Sequence, residues 1–419
     1  MTEQPQSGII QLGNTSSENF LEILFAGDLC MRQVTQERVL TGKSAEILSG
    51  IRMHLCDKDL SIVNLENPLS NRGTPIYKSG PNISVDPRNI DMLKEASFDI
   101  VTLANNHTGD FGDEAVEDTI RILDENAVLH VGAGRNLMAA KEPLLIEKKG
   151  RKIALLNFAE NETGIAGNEK AGAAPLDPID NIYAIRKVAA DNDIVLVLVH
   201  AGNEFNPLPR PNIVKLFHAF IDAGAAAIIG THPHCPQGIE IYGGRPIIYS
   251  LGNFLFYGNN LSRNSPNSMW WRSHMVRICF SQNKAVKLEI IPYNFGPDAS
   301  KIQCMDGTER EEYLNYLAYI SSVIYEEEEL KKYWNAWCDM RGMYYVTLME
   351  ELKEGIRMSI DKPQAVVYHA AHIFTTESHN DLMQNYLSRA VLLKSGQCKE
   401  YEEKIRMLQI GKYPKKEHI

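Results

Sequence analysis

Polar residues of metal-ligand type recur in this chain at one kind of place, the C-terminal end of a short apolar run. The run 21–28 (LEILFAGD) closes on Asp28 and 60–66 (LSIVNLE) on Glu66. Likewise 99–107 (DIVTLANNH) closes on Asn106 and His107, 152–160 on Glu160, 193–202 on His200, and 225–234 (AAAIIGTHPH) on His232 and His234. Two carboxylates, an amide oxygen and three imidazoles at one edge form a set of mixed oxygen and nitrogen donors. That mixture suits Zn, Mn or Fe better than Ca or a thiolate cluster. Singly, each residue has an ordinary explanation. Asp28 and the pair Asn105 and Asn106 are turn formers, Glu66 is a solvated strand end, and His200 is a hydrogen-bonded core histidine. His232-Pro233-His234 is harder to explain away: the proline fixes φ, and both imidazoles are expected to stand extended from one tight loop.

The runs that carry these residues are nearly continuous in apolar, β-branched side chains, as strands buried on both faces are. Helical patterns lie between them, at 112–126 (Val116, Ile120, Leu123) and 211–223 (Val214, Phe217, His218, Ile221). Alternation of this kind predicts a layered α/β architecture whose ligands gather at the carboxyl ends of strands. Residues 238–256 read as a hairpin turning at Gly243 and Gly244, and 274–295 as another turning near 282–284, so the sheets are mixed. Beyond about residue 300 strands give way to helical stripes: Tyr313, Tyr316, Leu317, Ile320 and Ile324, then Leu348, Leu352 and Ile356, then Leu382, Tyr386 and Ala390. The expected organisation is a polar segment 1–19, an α/β domain 20–296 and a helical appendage 300–419.

Composition narrows the class. A net charge of −10 with no basic tract argues against nucleic acid, whose phosphates are bound by displacing counterions with Lys and Arg. No stretch approaches the roughly 20 apolar residues of a membrane span, and residues 1–18 lack an apolar signal core. Seven scattered cysteines without CxxC spacing suit free thiols. A cytoplasmic protein is the expectation.

The ordered motifs Ala26-Gly27-Asp28, Asn64-Leu65-Glu66, Asn105-Asn106-His107 with Asp110 and Gly112 behind it, His200-Ala201-Gly202-Asn203-Glu204, Gly230-Thr231-His232-Pro233-His234 and Ser250-Leu251-Gly252-Asn253-Phe254 resemble those of the bacterial capsule synthesis protein CapA family. That family is linked to poly-γ-glutamate capsules, and its fold is similar to that of calcineurin-type metallophosphoesterases. The resemblance covers residues 20–295 and implies a dinuclear site for divalent ions. Glu66 would bridge; Asn106, His200 and His232 would complete one position; Asp28 and His234 would serve the other. His107 would sit beside the bridging water as acid or charge stabiliser. The implied activity is metal-dependent hydrolysis of a phosphoester or related anionic bond, on a small molecule or a polymer. The alternative is a non-hydrolytic polyanion-binding or scaffold protein of a capsule synthesis complex.

Two positions depart from the superfamily pattern: Cys30 stands where Asp-x-His has histidine, and the bridge is Glu66 rather than Asp. One metal position therefore lacks a ligand unless the Cys30 thiolate serves, and weak filling of that position is expected. Asn64, Asn105, Glu204 and Asn253 are candidates for positioning the ligands or lining the pocket. Lys78, Arg88 and Arg210 are candidates for substrate anions, and Trp270 and Trp271 for a substrate wall or core packing. For His369, His372 and His379 solvated or capping roles are expected rather than a third metal.

Overall fold

The computed structural model describes residues 7–14, 20–258 and 268–414. Two mixed sheets pack face to face. The first runs, strand by strand, Ile9–Gln11, Lys284–Asn294, Arg272–Ser281, Leu21–Cys30, Leu60–Leu65, Ile100–Thr102 and Leu129–Val131, with Leu21–Cys30 to Leu129–Val131 parallel. The second runs Ile239–Tyr242, Arg245–Ile248, Ala227–Thr231, Ile194–His200, Arg151–Ala159 and Leu144–Lys148. Its centre is also parallel.

The apolar runs form strands because both their faces are covered. In the first sheet Ile23, Phe25, Ile62 and Ile100 join Ile153, Leu196 and Ile228 of the second in one cluster between the sheets. The alternate residues Leu24, Ala26, Val63 and Val101 pack outward with Val116 and Leu123. Those last two lie on helix Asp113–Glu125, and helix Pro211–Ala223 covers the second sheet with Phe217, Phe220 and Ile221. This is the layered α/β class expected, with a helical C-terminal region.

One hairpin is shorter than the sequence pattern suggests. Ile239–Tyr242 and Arg245–Ile248 pair around Gly243 and Gly244, but the chain then leaves the second sheet. Asn253–Phe256 joins the first sheet instead, parallel to the upper half of Leu21–Cys30. The lower half of that same edge is taken by Arg272–Ser281, antiparallel. Alternation of apolar residues signals a strand but not which sheet receives it, so the crossing was hidden.

The C-terminal helices are Gly307–Ile324, Glu327–Met358, Ala365–Thr375, Glu377–Val391 and Lys399–Leu408. They share the core rather than hang from it: Tyr313, Leu317, Ile320, Trp337 and Leu382 belong to the same continuous hydrophobic cluster as the two sheets. The crossing from Arg272–Ser281 to Gly307–Ile324 is also tied by His274 Nδ1, 2.8 Å from the Tyr313 hydroxyl. Among the described residues no helix is long and apolar enough to cross a membrane.

Candidate metal centre

Asp28 owes its position to a crowded strand edge. A Cβ on Gly27 would lie 1.8 Å from the Gly252 carbonyl oxygen, so only glycine allows Asn253–Phe256 to approach. The Asp28 amide donates to that same oxygen at 3.0 Å, and Asn253 and Asn64 flank Asp28 in register on either side. Asn64 Nδ2 donates to Asp28 Oδ1 at 2.8 Å, while its own Oδ1 accepts from Thr102 Oγ1 at 3.2 Å and Asn105 Nδ2 at 3.3 Å. Asn105 also caps the Leu65 carbonyl at 2.9 Å. Asn64 and Asn105 thus fix the strand ends that carry the carboxylates, a positioning role for side chains behind a ligand set.

The second sheet brings the imidazoles. His200 ends its strand opposite Thr231. Beyond it the expected extended pair is not extended: His232 has φ 100° and His234 φ 55°. Left-handed backbone at two non-glycine residues is costly and needs a surrounding structure that imposes it. Here the His232 amide reaches across to Asp28 Oδ2 at 3.1 Å, and the His234 ring turns back to Asn253. Asn253 Nδ2 donates to the carbonyls of His234 (3.3 Å) and Trp270 (3.1 Å), which leaves its Oδ1 to accept from His234 Nδ1 at 2.9 Å. The Nε2 of His234 then faces Glu66 Oε1 at 3.4 Å.

Six side chains converge. Ligand-type atoms of Asp28, Glu66 and His200 all lie within 4.8 Å of one another. His200 Nε2 is 3.2 Å from Asn106 Oδ1, 3.0 Å from His232 Nδ1 and 3.9 Å from Glu66 Oε1, and His234 Nδ1 is 3.4 Å from Asp28 Oδ2. Both carboxylate oxygens of Glu66 are buried without a hydrogen-bond partner. Burial, with Asp28 close by, pushes the Glu66 carboxyl well up, and burial, with His232 and His234, holds the His200 imidazole well down. A buried carboxyl with no hydrogen-bond donor beside clustered imidazoles is a set of oxygen and nitrogen donors of metal-ligand type. The residues fit a divalent metal.

His107 stands next to this cluster with a different set of partners. Its Nδ1 is 2.6 Å from Asp110 Oδ2, and Lys78 Nζ, ion-paired to Asp110 Oδ1, donates to the Asn106 carbonyl at 3.0 Å. Burial, and then Lys78, lower the His107 pKa. With Nδ1–H committed to Asp110, Nε2 is the end left for other chemistry.

The remaining candidates spread out. Cys30 is fully buried among apolar neighbours, and burial, with Glu66 adding, pushes its thiol well up, so it is not poised as a thiolate. Arg210 is buried and paired with Glu160 and Asp381, and Arg88 is exposed and paired with Asp86, so both serve the fold rather than face this site. Trp270 and Trp271 are fully buried, Trp270 with its ring 4.8 Å from His234. The polar loop before them, 259–267, lies outside the described residues.

A cavity of about 190 Å³ opens on Asn106, His107 and His232, with Lys78, Glu162 and Glu204 around it. Asp28, Glu66, His200 and His234 are buried behind those three. Of the C-terminal histidines, His379 lines the cavity, His372 is buried beside it with ring centroids 6.2 Å apart, and His369 stacks edge-on against Tyr368. Trp337, Arg341 and Tyr345 complete the wall and were not anticipated. They sit on a helix whose pattern signals packing only.

A layered α/β protein with oxygen and nitrogen donors at the carboxyl ends of both sheets is the class this geometry defines. Residues 22–258 match the model of the family described as bacterial capsule synthesis protein PGA_cap, and the chain belongs to that family. It is 29% identical over 293 residues to the capsule biosynthesis protein CapA of Bacillus anthracis, covering 67% of this chain and 69% of that one. It is 31% identical over 288 residues to the PGA biosynthesis protein CapA of Bacillus subtilis strain 168, covering 66% and 72%. A 5'-nucleotidase structure from Candida albicans overlaps 77% of this chain and 60% of its own, at 11% identity and a TM-score of 0.40.

Proposed function

We propose that the chain is a metal-dependent hydrolase of phosphoester-type or related anionic bonds, working in the metabolism of a capsule polymer. The observation that carries this reading is Glu66, whose two oxygens are buried and unpartnered between His200 and His234. Asn106, His200, His232 and Glu66 would hold one divalent ion, and Asp28, Glu66 and His234 a second, weaker one. Ions bound there would supply Lewis acidity and a nucleophile formed from water near neutral pH.

The chain's own groups supply the rest. Asn64 and Asn253 orient Asp28 and His234, so that carboxylate and imidazole need not reorganise during reaction. Asp110 holds Nδ1 of His107, which lines the cavity, and leaves Nε2 as the nitrogen that can exchange a proton with the reacting group or its leaving atom. The capsule context is carried over from the names of the Bacillus relatives.

The test is metal analysis of purified protein together with a screen of aryl phosphates, bis-aryl phosphates and γ-glutamyl amides, with and without added Mn²⁺. Metal-dependent turnover supports the reading. Stoichiometric metal without turnover of any of them turns it into the second reading, a polyanion-binding protein of a capsule synthesis complex. That second reading is favoured by one observation: Cys30, buried among apolar side chains, stands where the superfamily pattern has histidine.

A further inference from the structure

The floor of the cavity is the ligand cluster, but its roof comes from elsewhere in the chain. Trp337, Arg341 and Tyr345 reach it from helix Glu327–Met358, and His379 from helix Glu377–Val391. All lie outside the family-matched stretch 22–258. The roof is anchored to the strand ends below it by polar contacts. Arg210 bridges Glu160 and Asp381, and the Asn161 amide donates to Glu377 Oε2 at 2.9 Å. Rigid attachment at that edge makes the roof a fixed wall of the site.

Charges around the cavity are mostly committed. Lys78 is ion-paired with Asp110, Glu162 faces His232, His379 and Lys78, and Glu204 is engaged within the chain. Arg341 differs. Its guanidinium carbon stands 5.0 Å from the centroid of the Trp337 ring, and among the described residues no carboxylate pairs with it. A cation held over an aromatic face keeps its in-plane N–H fork free for a partner. That fork matches carboxylate or phosphate oxygens. A volume of about 190 Å³ equals roughly six waters at about 30 Å³ each, room for one anionic group on a short spacer.

We propose that Arg341 is a specificity residue: it binds a second anionic group of the substrate, a carboxylate or phosphate distant from the group that meets the metal ligands. The proposal rests on the metal-centre reading above. It makes the preferred substrate an anion at both ends, and it gives the C-terminal helices a part in recognition.

The experiment measures calorimetric binding of non-hydrolysable alkylphosphonates to the Mn²⁺-loaded full chain. Each plain phosphonate is paired with one of equal length ending in carboxylate and one ending in a second phosphonate, over graded chain lengths. At the matching length the terminal anion should tighten binding about tenfold, as a charge-assisted contact does. Arg341→Ala should remove that gain while leaving the plain phosphonate within about twofold, and Arg341→Lys should restore part of it. Whichever terminal group gains more identifies the anion. Equal binding of plain and terminally charged probes at every length overturns the Arg341 subsite alone, as does equal weakening of both in Arg341→Ala. If the plain phosphonate shows no metal-dependent binding, the metal-centre reading falls and this proposal falls with it.

Discussion

His107 and Asp110 form a buried pair, Nδ1 to Oδ2 at 2.6 Å. Its neighbour Asn106 points the other way, to His200. Two adjacent residues therefore have different jobs. His107→Ala should keep the metal content of the wild type while lowering turnover by about 10²–10⁴-fold, the range of general acid–base groups. Unchanged turnover on an active wild type removes His107 from the chemistry, and lost metal moves it into the ligand set.

Glu66 gives the opposite signature. Glu66→Gln should lose metal and all hydrolysis. Measured without metal at pH 8, however, the variant should be more stable than wild type by about 1–3 kcal/mol, because a buried carboxylate with no donor is replaced by a neutral amide. Chemical denaturation of both apo-proteins checks this. A destabilised variant would show that Glu66 has a structural partner after all.

Cys30 tests the symmetry of the centre. Titration of apo-protein with Zn²⁺ and Mn²⁺ should give two unequal sites, the tighter one held by Asn106, His200, His232 and Glu66. Cys30→Ser should leave that pattern intact, since the thiol is buried among apolar side chains with its pKa raised. Loss of one site in the variant would instead make the thiolate a ligand.

The seam between sheet and helices should be sensitive to acid. Burial pushes the His274 ring down to about 3, against about 6.5 in an unfolded chain. Below pH 6.5 the unfolded chain takes up a proton that the folded ring refuses, so this contribution to stability is present above pH 6.5. It is lost progressively as pH falls toward 3, at up to about 1.4 kcal/mol per pH unit. His274→Gln, which can keep a bond to Tyr313, should flatten the fall in stability between pH 6 and 4 relative to wild type. Parallel curves for the two proteins would mean that the ring titrates freely.

Removing everything after Pro297 should leave a chain that aggregates. Leu317 and Ile320 are 0% exposed and share one hydrophobic cluster with both sheets, so deleting them leaves the apolar residues they cover, Ile239 among them, as an exposed patch. A soluble, monomeric and equally active truncation, judged by light scattering and turnover, would make the helices a separate module.

Much of the floor of this site was legible because strand ends announce themselves. An apolar run that stops on Asp28, Glu66, Asn106, His200 or His232 names both the strand and the place where its side chain emerges. Loop shape was less legible. Pro233 suggested an extended pair, yet His232 and His234 are left-handed because Asp28 and Asn253, distant in sequence, pull on them. The crossing of Asn253–Phe256 into the other sheet depends on the fit of Gly27 against Gly252, a contact that pattern alone cannot foresee. Arg341 and Trp337 were invisible for a related reason. On a long amphipathic helix a cation and a tryptophan read as surface and core, and only the docking of that helix turns them toward a cavity.

The order in which the chain is made bears on that cavity. The ligand cluster is complete once the polypeptide has reached Asn253, whereas the wall needs His379 and Leu382. At about 5–20 residues per second, the intervening stretch of about 130 residues takes roughly 6 to 26 seconds of synthesis. During that interval the strand ends that carry the donor residues have been made and their roof has not. If those residues hold ions as proposed, ions can be met before the cavity is enclosed, and Arg341, the proposed specificity residue, joins the site only with the roof.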